Sequence, residues 1–242
     1  MAEREEAGRP REELTAPGRR DGLKFASEGY LPAAVPVVAG AVAGPLISWY
    51  LGVPLLVFGL LVLLFFRDPA RTPEGGDDAV ISPADGRVVD VRTGEAAHRL
   101  EPGAPQRVSI FMSPLDVHVN RAPVSGTIES VEYREGRFKA AYGENASDTN
   151  ESNAMVVRAA DGTRMVVVQI AGWLARRIIC DVRKGDAVQQ GKRFGLIMFG
   201  SRVDVHLAPG VTIEVAPGQR VRAGRTVIAR RSSAAGGEAE AS

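Results

Sequence analysis

The sequence predicts an all-β domain, a barrel or sandwich, preceded by an N-terminal apolar helical hairpin. Three observations lead there. Between residues 79 and 230, ten short β-rich runs alternate with Gly, Pro and Asp: 86–91, 107–111, 126–133, 154–158, 164–170, 178–182, 194–198, 203–207, 211–215 and 226–229. That spacing is typical of all-β sandwiches and barrels. No amphipathic helical period interrupts them. Ahead of them, residues 31–66 contain no charged side chain.

In chain order, residues 1–30 read as a disordered tail. The first twenty are rich in Glu, Arg, Gly and Pro and nearly free of bulky apolar residues, so they bury too little surface to offset ordering entropy. The apolar run begins too late for a secretory signal. A single membrane span needs about 20 apolar residues. Residues 31–66 exceed one span and fall slightly short of two. Gly44-Pro45 and Gly52-Val53-Pro54 break the run near its middle, which predicts a membrane-associated hairpin, with Trp49 and Tyr50 near its turn at the lipid–water interface. Arg19, Arg20 and Lys24 precede the run, and Arg67 and Arg71 follow it. Basic residues on both sides place both ends in the cytoplasm, which predicts a cell-membrane location with the following domain on the cytoplasmic side. Residues 67–78 form a linker, 79–230 the β-rich domain and 231–242 a second disordered tail.

The β-rich region carries a weak internal repeat. Val182-Arg183-Lys184-Gly185-Asp186-Ala187-Val188-Gln189-Gln190-Gly191 is echoed by Val215-Ala216-Pro217-Gly218-Gln219-Arg220-Val221-Arg222-Ala223-Gly224. The unit is similar to the half-barrels of biotinyl and lipoyl domains, so the fold is expected to contain lipoyl-like half-barrel elements. Those carriers modify a lysine between the repeats. Here the equivalent place holds Gly200-Ser201.

Composition excludes several function classes. The formal net charge is +1, which gives a nucleic-acid partner no electrostatic support. Cys180 is the only cysteine, so an intramolecular disulfide and a cysteine-based zinc site are both excluded. His98, His118 and His206 are well separated and lack metal-ligand spacing, and no metal is expected.

Three stretches remain that could carry chemistry. Gly200-Ser201 separates two alternating apolar runs. It reads either as a tight turn or bulge, or as a strained step at which the Ser201 hydroxyl attacks the preceding carbonyl of Gly200. In Ser82-Pro83-Ala84-Asp85-Gly86, Asp85 stands at a turn before a strand. In residues 113–126, Asp116 and His118 lie two apart and share a face if the chain is extended. Histidine is the commonest acid–base group.

Taken together, and in this order, these stretches resemble the phosphatidylserine decarboxylase family over essentially the whole chain. The resemblance is carried by Phe65-Phe66-Arg67-Asp68-Pro69, by SPADG at 82–86, by SPLDVHVNRAPVSG at 113–126, and by FGSRVDV at 199–205. The GSRVD form and the length resemble the short type of the family, not the longer type with an LGST motif. The resemblance implies a self-processing enzyme that cuts between Gly200 and Ser201. Residues 1–200 become a membrane-bound β chain, residues 201–242 a small α chain, and Ser201 a pyruvoyl group. It further implies conversion of phosphatidylserine in the membrane to phosphatidylethanolamine with release of CO2, through a Schiff base to that pyruvoyl group, without metal or pyridoxal phosphate. A higher oligomer is compatible with this scheme.

By the same resemblance, Asp85 supports the processing histidine and His118 matches the first histidine of a D-x-H-x-x-H segment. Arg121 replaces the second histidine, and arginine is a poor general base. Either His118 serves both processing and decarboxylation, or another group takes over processing. Arg67, Arg71, Arg137, Lys139, Arg176 and Arg177 are available for the lipid phosphate. Two rival classes fit less well. A membrane-anchored adaptor built on lipoyl-like halves needs a long helical insertion between them, and a β-sheet metallopeptidase needs paired histidines.

Overall fold

The computed structural model describes residues 24–94, 98–136, 150–172, 177–198 and 200–232. Two apolar helices, α1 (Tyr30–Leu46) and α2 (Trp49–Phe65), pack side by side and turn at Ile47-Ser48. Ser48 starts the second helix, its hydroxyl accepting from the Tyr50 amide at 3.2 Å. Pro45 and Pro54 lie inside the helices, near the end of α1 and in the second turn of α2, so the break falls between the two positions expected for it.

Small residues let the helices approach. A methyl group at Gly52 would sit 2.6 Å from the Gly44 Cα, and one at Gly59 only 2.5 Å from Val37 Cγ2. Close small-residue contact is how helices associate where lipid removes the hydrophobic drive between them. Leu31, Val35, Val38, Leu60 and Leu61 point outward and stay exposed. Each helix is about 26 Å long at ~1.5 Å per residue. The helical stretch Ser27–Leu46 has the length and apolar composition of a membrane span.

The hairpin is tied at its base. Strand β1 (Lys24–Phe25) pairs with β2 (Arg67–Asp68), and Arg193 binds Glu28 at 2.7 Å. Residues 24–30, read from the sequence as the end of a disordered tail, therefore hold a strand and a helical turn. What orders them is pairing with residues that lie beyond the apolar run, which no local pattern reveals. Residues 1–23 and 233–242, where the tails were expected, lie outside the described residues.

The β domain follows as β3 (Ala79–Ile81), β4 (Gly86–Arg92), β5 (Gln106–Met112), β6 (Val119–Arg121), β7 (Gly126–Arg134), β8 (Ser152–Ala159), β9 (Arg164–Ile170), β10 (Ile178–Cys180), β11 (Ala187–Val188), β12 (Arg193–Ile197), β13 (Ser201–Leu207), β14 (Thr212–Ile213), β15 (Arg220–Val221) and β16 (Val227–Arg230). An eight-stranded antiparallel sheet runs β11-β7-β8-β9-β13-β5-β4-β15. Two three-stranded sheets, β10-β12-β6 and β14-β16-β3, accompany it. Register shifts in β4 and β7 curl the large sheet into a half-barrel. The alternation of β13 sends Val203, Val205 and Leu207 into the main core with Ile110, Met112 and Phe194, and turns Arg202, Asp204 and His206 to the other face.

The repeat has a structural meaning. Its two units supply β11 and β15, the two edges of the large sheet. Each turns through a left-handed glycine, Gly185 (φ +93°) and Gly218 (φ +91°). The units meet at Gly191 and Gly224, where a Cβ on Gly224 would lie 3.3 Å from the Gly191 carbonyl oxygen. The all-β expectation with half-barrel elements holds. The sequence reading overlooked β3, β6, β11 and β15, because segments of two or three residues are too short for alternation to register.

Candidate active site

The Gly200-Ser201 step is not a hairpin turn. The strand before it, β12, pairs with β10 and β6, whereas β13 lies between β5 and β9 in the large sheet. The chain therefore crosses from one sheet to another at this bond. Gly200 takes φ +57°, in the left-handed region that favours glycine. Ser201 opens β13 opposite Met112 and is fully buried. Its hydroxyl donates to the Met112 sulfur at 3.4 Å, and a thioether is a weak acceptor.

His118 stands immediately before β6. Its carbonyl oxygen accepts from the Ile197 amide at 3.2 Å, which ties it to the strand that leads into Gly200. The ring Nδ1 lies 2.9 Å from the Asp116 carbonyl oxygen. A carbonyl only accepts, so Nδ1 carries the hydrogen and Nε2 keeps its lone pair. Nε2 is buried and has no hydrogen-bond partner among the described residues. The Phe65 ring covers the imidazole with centroids 4.2 Å apart. Burial pulls the imidazole down to about 4; Arg67 adds to the shift and Asp116 opposes it. The ring is therefore neutral near pH 7.

The other sequence candidates take different places. The Asp116 carboxylate accepts from the Ser113 amide at 2.8 Å and its hydroxyl at 2.7 Å, so only its main chain meets His118. The structure does not bring Asp85 to the imidazole. Its oxygens accept from the Ala223 amide at 2.7 Å and from Arg71 at 2.9 Å. Asp85 thus joins the linker to the second repeat unit. Arg121 is an anchor as well. It is buried, binds the Asp68 carboxylate, and donates to the Pro69 and Gly191 carbonyl oxygens, each at 2.9 Å. Burial pulls its pKa below the ordinary value and Asp68 opposes that pull.

Among the arginines considered for phosphate, Arg67 donates to the Leu64 and Leu115 carbonyl oxygens and Arg71 binds Asp85. Arg177 is exposed, and Arg137, Lys139 and Arg176 lie outside the described residues.

Sequence reasoning missed Phe65, Met112 and a buried amide chain of Asn120, Gln169 and Asn153. Two signals were present. Asn120 lies inside the 113–126 motif, and Gln169 interrupts an otherwise apolar run in 165–170.

The family model described as phosphatidylserine decarboxylase matches residues 58–229, a stretch containing Asp85, His118, Gly200 and Ser201. Named relatives agree. A phosphatidylserine decarboxylase proenzyme of Granulibacter bethesdensis is 47% identical over 204 residues, covering 82% of this chain and 84% of the relative. That of Solibacter usitatus is 48% identical over 78% of this chain and 90% of its own length. That of Cereibacter sphaeroides is 43% identical over 90% of this chain and 95% of its own. The chain belongs to the phosphatidylserine decarboxylase family of enzymes.

Proposed function

We propose that the chain is a proenzyme that cuts itself between Gly200 and Ser201 and then converts phosphatidylserine to phosphatidylethanolamine and CO2. One observation carries this reading. Ser201 is a fully buried hydroxyl whose hydrogen-bond partner among the described residues is a thioether, placed directly after a left-handed glycine where the chain changes sheets. A serine serving the fold alone would be expected to satisfy its hydroxyl with a stronger acceptor.

In this reading Ser201 Oγ bonds to the Gly200 carbonyl carbon and its proton passes to a base. The carbon–nitrogen bond breaks, leaving an ester and a free amine on residue 201. Loss of the residue 201 Cα proton then expels the Gly200 carboxylate. The dehydroalanine that remains isomerises to an imine, takes up water and releases ammonia, leaving a pyruvoyl group. Residues 1–200 become the β chain and 201–242 the α chain. His118 suits the base, because its neutral, buried Nε2 has an unused lone pair. Asp85 acts at a distance from the ring, by anchoring the linker through Arg71 and residue 223.

The residues fit the group they are proposed to generate: a buried nucleophile at the start of a strand, and a shielded imidazole tied to the preceding one. When formed, the pyruvoyl group supplies an electrophilic carbonyl for the substrate's amine and a sink for the electron pair left by CO2. His118, once protonated, is the donor for the carbon that CO2 leaves. The hairpin seats the domain on the cytoplasmic side of the cell membrane, where the serine headgroup is presented.

The test is intact mass measurement of purified protein together with turnover of phosphatidylserine vesicles. Two chains, with residue 201 blocked to Edman degradation and activity lost to hydroxylamine, are expected. Ser201→Ala should give one inactive chain. An active enzyme containing only the uncut chain would overturn the reading.

A further inference from the structure

Behind Ser201 runs a chain of buried side-chain amides. Asn153 Nδ2 donates to Gln169 Oε1 at 3.1 Å, and Gln169 Nε2 donates to Asn120 Oδ1 at 2.9 Å. All three residues are buried, Asn120 and Gln169 completely. The direction of the chain is fixed by main-chain carbonyls, which only accept. Gln169 Nε2 faces the Ile179 carbonyl oxygen at 3.4 Å, and Asn120 Nδ2 faces that of Pro83 at 3.5 Å. Every amide therefore points its donor toward Asn120 and onward.

The final donor in this relay is poorly used. The Pro83 oxygen already accepts the Arg121 amide at 3.0 Å, so its 3.5 Å contact with Asn120 is a weak one. The other neighbour of Asn120 Nδ2 is the Met112 sulfur at 3.8 Å, the same atom that receives the Ser201 hydroxyl. A buried primary amide with no strong acceptor is costly and uncommon. Here it lies across a single polarisable sulfur from the proposed nucleophile. Methionine is an adaptable filler, able to yield to a shifting neighbour. Asn120, the middle residue of β6, also follows His118 by two, and residues two apart in an extended chain share a face.

We propose that Asn120 is a catalytic residue of self-processing: its side-chain amide donates to the Gly200 oxygen that becomes negative as Ser201 attacks. In that step the new bond runs from Ser201 Oγ to the carbonyl carbon. The carbonyl π pair moves onto oxygen, and the hydroxyl proton leaves to the base. The oxyanion is a far stronger acceptor than the thioether or the crowded Pro83 carbonyl, so the interaction strengthens only as the barrier is climbed. The Gln169–Asn153 relay holds the amide in the donating orientation and polarises it. This inference rests on the self-processing reading above.

The experiment follows scission of the full-length chain over time after cell-free synthesis into liposomes, by intact mass. The parent, Asn120→Ala, Asn120→Asp and Ser201→Ala are compared, with thermal melts referenced to Ser201→Ala as the uncut fold. Removing one oxyanion donor typically slows a reaction about 10²–10³-fold, and Asn120→Ala should slow scission to that extent. Asn120→Asp keeps the volume and adds a pH readout. Protonated, the acid donates a hydrogen bond; ionised, it repels the developing charge. Its scission rate should therefore climb as pH falls, in a titration the parent lacks. A merely structural role for Asn120 would leave both variants slow and Asn120→Asp insensitive to pH, and that overturns the proposal. So does scission of Asn120→Ala at the parental rate. If Asn120→Ala melts far below the reference, the pH response of Asn120→Asp decides. A parent that never splits sinks the self-processing reading itself, and this inference with it.

Discussion

The Phe65 ring lies 4.2 Å from the His118 imidazole at an interplanar angle of 36°, so the last residue of the apolar hairpin forms one wall of the candidate base. Around them Ala26, Phe66 and Leu196 close a small cluster, with Met198 packed against it. The apolar hairpin and the candidate site share a core.

A first prediction follows for Phe65→Ala. Truncating a buried phenylalanine costs about 3–5 kcal/mol, and here it also admits water to His118. The imidazole pKa should rise from about 4 toward its ordinary 6.5, so the acid limb of the scission rate against pH moves upward. Phe65→Leu should shift the limb less. An acid limb unchanged in a folded Phe65→Ala variant would show that the ring does not shield the base.

The second prediction concerns stability below neutral pH. Burial pulls His118 and His98 down to about 4, with the nearby His206 adding to the shift at His98. The folded state keeps both neutral, while the unfolded chain binds protons at about 6.5. Stability is thus fully present above pH 6.5 and is lost as pH falls toward 4. His118 accounts for roughly 3 kcal/mol of that loss, and the half-exposed His98 for less. Burial raises Asp90, yet hydrogen bonds and the Arg107 and Arg92 guanidiniums bring its carboxyl below the usual range, so it keeps its charge through this window. Urea midpoints of Ser201→Ala at pH 7 and 4.5 measure the loss. It should shrink when His118→Gln is added.

A third prediction separates anchoring from base catalysis at Arg121. Its nitrogens are engaged by Asp68, Pro69 and Gly191. Arg121→Ala leaves a half-buried carboxylate unpaired, and breaking such a pair costs about 3–5 kcal/mol. Arg121→His restores the longer family pattern but cannot reach all three acceptors. It should therefore melt lower than the parent and still split. Failure of a folded Arg121→His to split would mean the guanidinium contributes directly to processing.

The ten alternating runs were legible because each has four residues or more and one face in the core, as in 203–207. The domain's closure was not legible. Arg121 was readable only as a missing histidine, because its partners lie more than fifty residues away at Asp68 and seventy at Gly191. Asp85 looked like a partner for His118 for the same reason: motif order places two residues in one site without saying which atoms meet. Ser201 and Gly200 were legible as a pair through the motif. That they span two sheets depends on strand pairing, which sequence distance does not encode.

The fourth prediction is that the processed chains stay together. Residues after 200 include β13, enclosed between β5 and β9, and also β15 and β16, which pair with β4 and β3. Separating the α chain removes a central strand from the sheet. On its buried face Arg202 binds Asp204 at 2.6 Å and the Ser109 hydroxyl at 2.8 Å. The two chains should co-elute in detergent until urea unfolds the whole domain in one transition. Asp204→Asn should lower that midpoint, since it removes a carboxylate charge held 2.6 Å from a buried guanidinium. Loss of the α chain well before the transition would refute the shared-sheet account.

The last prediction isolates the membrane role of the hairpin from its structural one. Deleting residues 1–66 would also remove Phe65 and Phe66, uncovering His118 and Leu196, so reduced activity would not report membrane contact alone. The turn offers a cleaner test. Leu46, Ile47, Trp49 and Tyr50 are 78%, 74%, 57% and 96% exposed, and the turn lies about 24 Å along α2 from Phe65 at ~1.5 Å per residue. Fully burying one such side chain is worth about 1.5–3 kcal/mol, so replacing Leu46 and Ile47 with serine should weaken bilayer partition by at least about tenfold. Vesicle flotation should fall, and turnover of phosphatidylserine in vesicles with it. Scission, thermal stability and turnover of a short-chain, water-soluble phosphatidylserine should stay at parental levels, because nothing near His118 or Ser201 has changed. If the double variant floats and turns over vesicles like the parent, the turn does not enter the bilayer, and membrane contact would have to be sought on the sides of the helices.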